Sequence, residues 1–148
     1  MLHAPLRLLA HDSEDLAVVA LHMKHAVLRV GDMTFLPKER RFVLVAERFN
    51  WLAAGSGQMQ CVEAGLHFDG VLEVATSGFD ASARDTALSL DDIVFSPGDA
   101  PGGWVIFKFS SGGSLRLTVE CLDAQLRDLG ARWQTSLASA VPAADDPA

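Results

Sequence analysis

The sequence predicts an α+β fold that is mainly antiparallel β, with about seven strands in a barrel- or sandwich-like arrangement and a helix at each end. Three observations support this class. Short apolar segments alternate with polar residues and end at Gly, Asp or Pro. The segment Asp32–Pro37 recurs sixty residues later as Asp92–Pro97. Helical stripes of apolar residues occur near both termini.

The recurring segment is part of a longer match between residues 28–37 and 88–97, in which four of ten positions are identical. Each copy precedes a turn and an apolar segment, residues 42–49 in the first case and 104–109 in the second. This is the pattern of a β-hairpin that is used twice. Duplication and independent use of a common turn both explain it, because alternation closed by proline recurs in β proteins.

A chain of 148 residues, 49% hydrophobic and 21% charged, has the size and composition of one globular domain. We place this domain at residues 1–133 and expect residues 134–148, which lack Lys and Arg, to form a flexible tail. No stretch approaches the roughly 18 apolar residues that span a bilayer. The start of the chain lacks the pattern of a secretory signal, so a cytoplasmic location away from membranes is expected.

The net charge of −7 disfavours nucleic acid as a partner, because an acidic chain is repelled by phosphates. Cys61 and Cys121 are expected to be reduced, buried thiols, and neither belongs to a C-x-x-C pair. The sequence has no nucleotide-binding loop, nucleophile elbow or zinc-protease motif. We therefore expect no metal and no cofactor.

The N-terminal elements are a short edge strand at Leu6–Ala10 and a helix that begins at Asp12 or Ser13. Either residue can cap the first free N–H groups, and the helix should end near Lys24 or His25. The apolar stripe of this helix has helical spacing and consists of Leu16, Val19, Ala20 and Met23.

Strands are then predicted at residues 26–30, at Met33–Leu36 and at Phe42–Phe49. The last is apolar on both faces, which favours a central strand covered on both sides. Residues 52–60 resemble a loop. Gly65–Thr76 is predicted to be one long strand with a kink at Asp69-Gly70.

The C-terminal half repeats the strand pattern before the chain ends in a predicted helix. Its strands are predicted at Ala87–Leu90, Ile93–Phe95, Trp104–Phe109 and Ser114–Glu120. Leu122, Leu126 and Leu129 have helical spacing, so a helix is predicted over Cys121–Leu129. Gly130 suits the end of that helix, and Trp133 is expected to pack on the body.

The candidate binding residues form a basic cluster around the first hairpin. They are Arg29, Lys38, Arg40, Arg41 and Arg48. Gathered guanidinium groups can bind a carboxylate or a phosphate. The alternative is a solvated turn whose charges pair with Glu39 and Glu47.

No catalytic residue is assigned. His22 and His25 have spacing i, i+3 on the first helix, but a solvated helix flank explains them better than a metal site. An enzyme with an unfamiliar site around His67, Glu120 and the arginines remains an alternative.

Several segments resemble an uncharacterised proteobacterial family, the domain of unknown function number 2948. They are Arg29–Asp32, Leu36–Phe42, Arg48–Trp51, Leu66–Phe68, Leu88–Leu90, Val119–Cys121 and Asp128–Gly130. The resemblance extends from about Leu6 to Trp133 and implies no activity. After Trp133 this chain has Gln134-Thr135-Ser136 where an Arg and a late His often follow in the family.

These observations favour a non-enzymatic binding module that uses the basic hairpin. Its partner would be another protein or a small anionic ligand. A structural homodimer, joined through strand edges or hairpin loops, is a further alternative.

Overall fold

The computed structural model of the chain describes residues 5–50 and 58–136, most of which form one antiparallel sheet. One α-helix, α1, spans Ser13–Met23. The described residues form ten strands, more than the seven predicted. The strands are β1 (Arg7–Ala10), β2 (Val27–Arg29), β3 (Met33–Leu36), β4 (Arg41–Phe49), β5 (Gln58–Asp69), β6 (Val71–Ser77), β7 (Ala87–Pro97), β8 (Gly103–Phe109), β9 (Ser114–Val119) and β10 (Ala124–Ser136).

The strand order is β1-β10-β5-β4-β2-β7-β8-β9-β6, with β3 beside β4. The β4–β5 and β8–β9 hairpins therefore flank the central β2–β7 pair. After β5 the chain crosses to place β6 beside β9, and after β9 it crosses back to place β10 beside β5. The half of the sheet that holds the β4–β5 hairpin thus receives β10, which follows β9 in the chain. The half that holds the β8–β9 hairpin receives β6, which follows β5. Within the described residues the edge strands β1 and β6 do not pair with each other, so the sheet is not closed.

Leu28 lies directly opposite Leu88 where the two halves meet. The flanking pairs are Val27 with Ser89 and Arg29 with Ala87. A shift of sixty residues maps positions 27–29 onto positions 87–89, and these two segments pair with each other in antiparallel orientation. The pairing therefore has the arrangement expected around a local two-fold axis. Duplication and independent use of a common turn both stay open as explanations of the repeat.

The two copies of the recurring segment differ in strand continuity. A 3₁₀ turn at Val30–Asp32 divides the first copy into β2 and β3. The second copy is the single strand β7, with a register shift between Leu90 and Asp92. As a result β2 covers only the first three residues of β7.

The core lies between the inner face of the curved sheet and α1. The predicted apolar stripe of the helix is buried as expected, and Asp12 is the N-cap, accepting a hydrogen bond from the Asp15 N–H at 2.8 Å. Phe107 on β8 contacts Phe42 on β4 and Phe68 on β5, with ring centroids 6.0 and 5.6 Å apart. These aromatic contacts join the two halves of the sheet.

Gly70, with a φ of 72°, lies at the predicted kink, but it separates two strands, β5 and β6, and the prediction of one continuous strand was wrong. The central position of β4 is also confirmed, since it pairs with β5 on one side and with β2 and β3 on the other. Its outward face is half-buried rather than covered.

The C-terminal helix was wrongly predicted, because Ala124–Ser136 is strand β10. Burial alternates with a period of two, so that Leu122, Ala124, Leu126 and Asp128 face inward while Leu129 is exposed. The leucine spacing fits a helix, but β5 pairs with β10 on one side and β1 pairs with residues 124–127 on the other, so the backbone of this segment is bonded as a strand.

Two further predictions reach beyond the described residues. The predicted loop at 52–60 includes residues 58–60, which belong to β5, whereas residues 51–57 lie outside the described part of the chain. Strand β10 extends to Ser136, three residues into the predicted tail. The remaining tail, residues 137–148, and the side chain of Trp133 lie outside the described part.

Candidate functional site

Arg48, one of the five predicted binding residues, is buried in an internal salt bridge. Its Nε and Nη2 atoms donate to the two carboxylate oxygens of Asp128 at 2.8 and 2.9 Å. Both side chains are only 3% exposed. This bidentate geometry is the strong form of an arginine–carboxylate pair. Arg48 is therefore occupied by an internal contact between strands and is not available to a surface ligand.

The alternation of β4 explains this position. Side chains two residues apart in a strand share a face, so Arg48 lies on the inward face with Leu44 and Ala46, whereas Arg41 lies on the outward face. The predicted cluster is thus divided between the two sides of the sheet.

Arg40 and Arg41 are exposed, but each is paired with a carboxylate. Arg40, at a φ of 52° in the β3–β4 turn, donates to Glu120. Arg41 Nε donates to Asp69 Oδ1 at 2.7 Å. That hydrogen bond, followed by the charge of Asp69, raises the pKa of the Arg41 guanidinium. These contacts link the β3–β4 turn to the end of β5 through Asp69 and to the connection after β9 through Glu120.

The hairpin cluster, defined here as Lys38, Arg40, Arg41, Glu39, Asp69 and Glu120, has three cations and three anions. These six charges balance, and the charge of Asp123 also acts on Arg41, although the isolated turn looks basic in the sequence. Arg29 lies apart from it on β2, opposite Ala87. The structure thus brings together three of the five predicted residues, Lys38, Arg40 and Arg41.

The residues of the enzymatic alternative lie at the surface beside charged side chains. His67 Nε2 lies 3.6 Å from Asp69 Oδ2, and Glu120 is bonded to Arg40. On α1, His22 Nδ1 lies 2.9 Å from the carbonyl of Val18. Residues 5–50 and 58–136 contain no group of three His, Cys, Asp or Glu side chains that could hold a metal ion.

A groove separates α1 from the second half of β7 and has a volume of about 500 Å³. Small and apolar residues form most of its lining, with charged groups at its edge. The lining residues are Ser13, Ala17, Ala20, Leu21 and Lys24 of the helix segment and Asp91–Phe95 of the strand. Leu21 is 65% exposed. We call this the α1–β7 groove.

The groove follows an open strand edge. Strand β2 pairs with β7 only at Ala87–Ser89, and the Leu90 backbone bonds to His25 and Ala26. Beyond Leu90, no described strand pairs with this side of β7, whose other side pairs with β8. Such an edge presents backbone donors and acceptors that another strand can use.

Two charged side chains satisfy backbone groups near this edge. Lys24 Nζ donates to the Asp91 carbonyl at 3.4 Å and lies 3.5 Å from the Asp91 carboxylate. Asp92 Oδ1 accepts a hydrogen bond from the Ile93 N–H at 2.8 Å. Charged residues at an edge protect it against uncontrolled pairing.

Sequence reasoning missed this groove, although Gly31-Asp32 supplied a signal. A turn directly after β2 makes that strand too short to cover the whole of β7. The importance of Asp128 was also missed, because its segment was assigned to a helix.

The described residues contain no helix with the length and hydropathy needed to cross a bilayer. Residues 6–141 match the family described as "Protein of unknown function (DUF2948)", which confirms the resemblance found in the sequence. No curated protein and no solved structure matches the chain.

Proposed function

We propose that this chain, which belongs to the DUF2948 family of proteins of unknown function, is a non-enzymatic binding module that takes an extended peptide segment of another protein into the α1–β7 groove. The peptide would lie along the open edge of β7 as an additional strand. Its side chains would alternate between the groove and the solvent.

The observation that carries this proposal is the combination of an adjoining groove with a strand edge that no strand of the described residues pairs. Main-chain hydrogen bonds to an edge supply affinity, and pockets for alternate side chains supply specificity. The groove volume of about 500 Å³ is in the range of ligand sites. The exposed side chain of Leu21 gives the groove an apolar wall.

The test is a selection of ten-residue random peptides on the full chain, followed by mapping with backbone amide NMR shifts. We expect enriched peptides to shift residues 91–96 and α1. Ala17→Trp should fill the groove and abolish binding, because Ala17 is exposed and lines it. Val18→Trp is the matched control, since Val18 is 45% exposed and does not line the groove. Peptides that map to another surface, or no enrichment at all, would contradict the proposal.

A second candidate is binding of a carboxylate or phosphate ligand at Lys38, Arg40 and Arg41. The side chains of Arg40 and Arg41 are 60% and 45% exposed. Exposed salt bridges contribute little free energy, so an incoming anion can exchange with Glu120 or Asp69. Titration with a tetraglutamate peptide tests this. Arg40→Ala with Arg41→Ala should abolish binding and Arg116→Ala should not, whereas an unchanged affinity in the double variant would contradict it.

A further inference from the structure

We infer that the partner of the α1–β7 groove carries a lysine or arginine within an otherwise apolar extended segment. This inference rests on the proposed function and specifies its partner. It follows from the charges that an added strand would uncover at the edge of β7.

A new strand requires the backbone groups that Lys24 and Asp92 now occupy. The Asp91 carbonyl, which accepts from Lys24, would instead accept from the peptide. The Ile93 N–H, which donates to Asp92, would instead donate to a peptide carbonyl. Strand addition therefore takes the Asp91 carbonyl from Lys24, whose Nζ also lies 3.5 Å from the Asp91 carboxylate, and releases the Asp92 carboxylate.

Two neighbouring carboxylates would then remain at the mouth of the groove. A carboxylate that loses its partner while a peptide excludes water is costly unless another cation replaces it. Lys24 can pair with one of the two carboxylates, and a lysine or arginine of the peptide can pair with the other. The rest of the lining, including Ala17, Ala20 and Leu21, offers apolar contacts to the neighbouring side chains.

The negative charges of Asp91 and Asp92 argue against two other occupants of the groove, namely the C-terminal residues of this chain and a second copy of it. Residues 134–148 of this chain contain Asp145 and Asp146 and no basic residue. A second copy that paired through its own β7 would bring Asp91 and Asp92 of both chains into one interface. An apolar-basic segment of a different protein has the complementary charge.

The experiment compares three versions of one peptide taken from the library selection, with Lys, Gln or Glu at the position nearest Asp91. Fluorescence anisotropy with the full chain should show about fivefold tighter binding of the Lys form than of the Gln form, and weaker binding of the Glu form. Added salt should reduce the preference. Asp91→Asn with Asp92→Asn should remove it, while Asp99→Asn in the exposed β7–β8 turn should leave it intact.

The outcomes separate the two proposals. If the three peptides bind the groove equally well, the inference about the partner is wrong and the peptide-binding function stands. If the selected peptides that bind the groove are acidic at the position nearest Asp91, the inference is also wrong. If no peptide binds, both proposals fail.

Discussion

Arg48 on β4 and Asp128 on β10 form a salt bridge across β5, the strand that lies between them. The Asp128 carboxylate also accepts a hydrogen bond from the Leu6 N–H at 2.8 Å. The backbone N–H of Asp128 donates to the Leu6 carbonyl at 2.9 Å. One carboxylate therefore ties β4, β10 and the segment before β1 together. Since the pair is buried, its members depend strongly on each other.

Asp128→Ala should lower the free energy of unfolding by about 3–5 kcal/mol, because it leaves the Arg48 guanidinium buried without its carboxylate. Asp128→Asn should cost less, since the amide oxygen can still accept from Leu6. Urea denaturation monitored by circular dichroism measures both.

Asp69→Ala is the control for this prediction, because its partner Arg41 is 45% exposed. An exposed pair contributes at most about 1 kcal/mol. Equal losses in Asp128→Ala and Asp69→Ala would contradict the special role of the buried pair.

The two cysteines should differ in reactivity. Burial, with a smaller contribution from Glu47, raises the pKa of the Cys61 thiol to about 12, whereas Cys121 is exposed. At pH 8 we expect one fast equivalent with an aromatic disulfide reagent in the native protein and two in urea. Cys121→Ser should abolish the fast reaction, and its persistence in that variant would show that Cys61 is accessible.

The same shift affects stability in alkali. Unfolded Cys61 releases its proton near its ordinary pKa of 9.0, but the folded thiol keeps it until about pH 12. The folded state thus binds more protons in this window, and the free energy of unfolding should decrease as the pH rises through it. Replacing Cys61 by Ala should reduce this pH dependence, and an unchanged slope would contradict the assignment.

Gly103→Ala should destabilise the fold by about 1–3 kcal/mol. A Cβ at this position would lie 2.5 Å from the Ser96 carbonyl oxygen and 2.8 Å from the Phe95 ring. Gly130→Ala is the matched control, because its Cβ would meet nothing within 4 Å. Thermal unfolding of both variants decides the matter, and similar melting temperatures would contradict the close packing at Gly103.

Asp12→Ala should cost about 1 kcal/mol, because it removes the side chain that caps the Asp15 N–H. Asp12→Asn keeps an acceptor oxygen and should restore most of the loss. If Asn and Ala at this position destabilise equally, the effect is not due to capping.

Local patterns were sufficient to predict α1, its cap and most strands. The spacing of Leu16, Val19 and Met23 admits one inward helix face, and the alternation in β9 marks one inward strand face. The bend at Gly70 was also predictable, because glycine favours the positive φ found there.

Non-local pairing explains the errors. Leu122, Leu126 and Leu129 fit a helix in isolation, and only the presence of β1 and β5 on either side makes the segment a strand. Arg48 looked like a surface cation because Asp128, its partner 80 residues away, was assigned to that helix. The open edge of β7 likewise depends on which strands meet it in space.

Because the chain crosses twice between the two halves of the sheet, cleavage of one connection separates strands that pair with each other. The Glu120 N–H donates to the Gly70 carbonyl at 2.9 Å where the connections after β5 and β9 meet. A proteolytic nick between Gly78 and Thr86 would produce two fragments, one holding β6 without β9 and the other holding β10 without β5. Neither fragment has a complete set of backbone partners, so each should fold only when mixed with its complement.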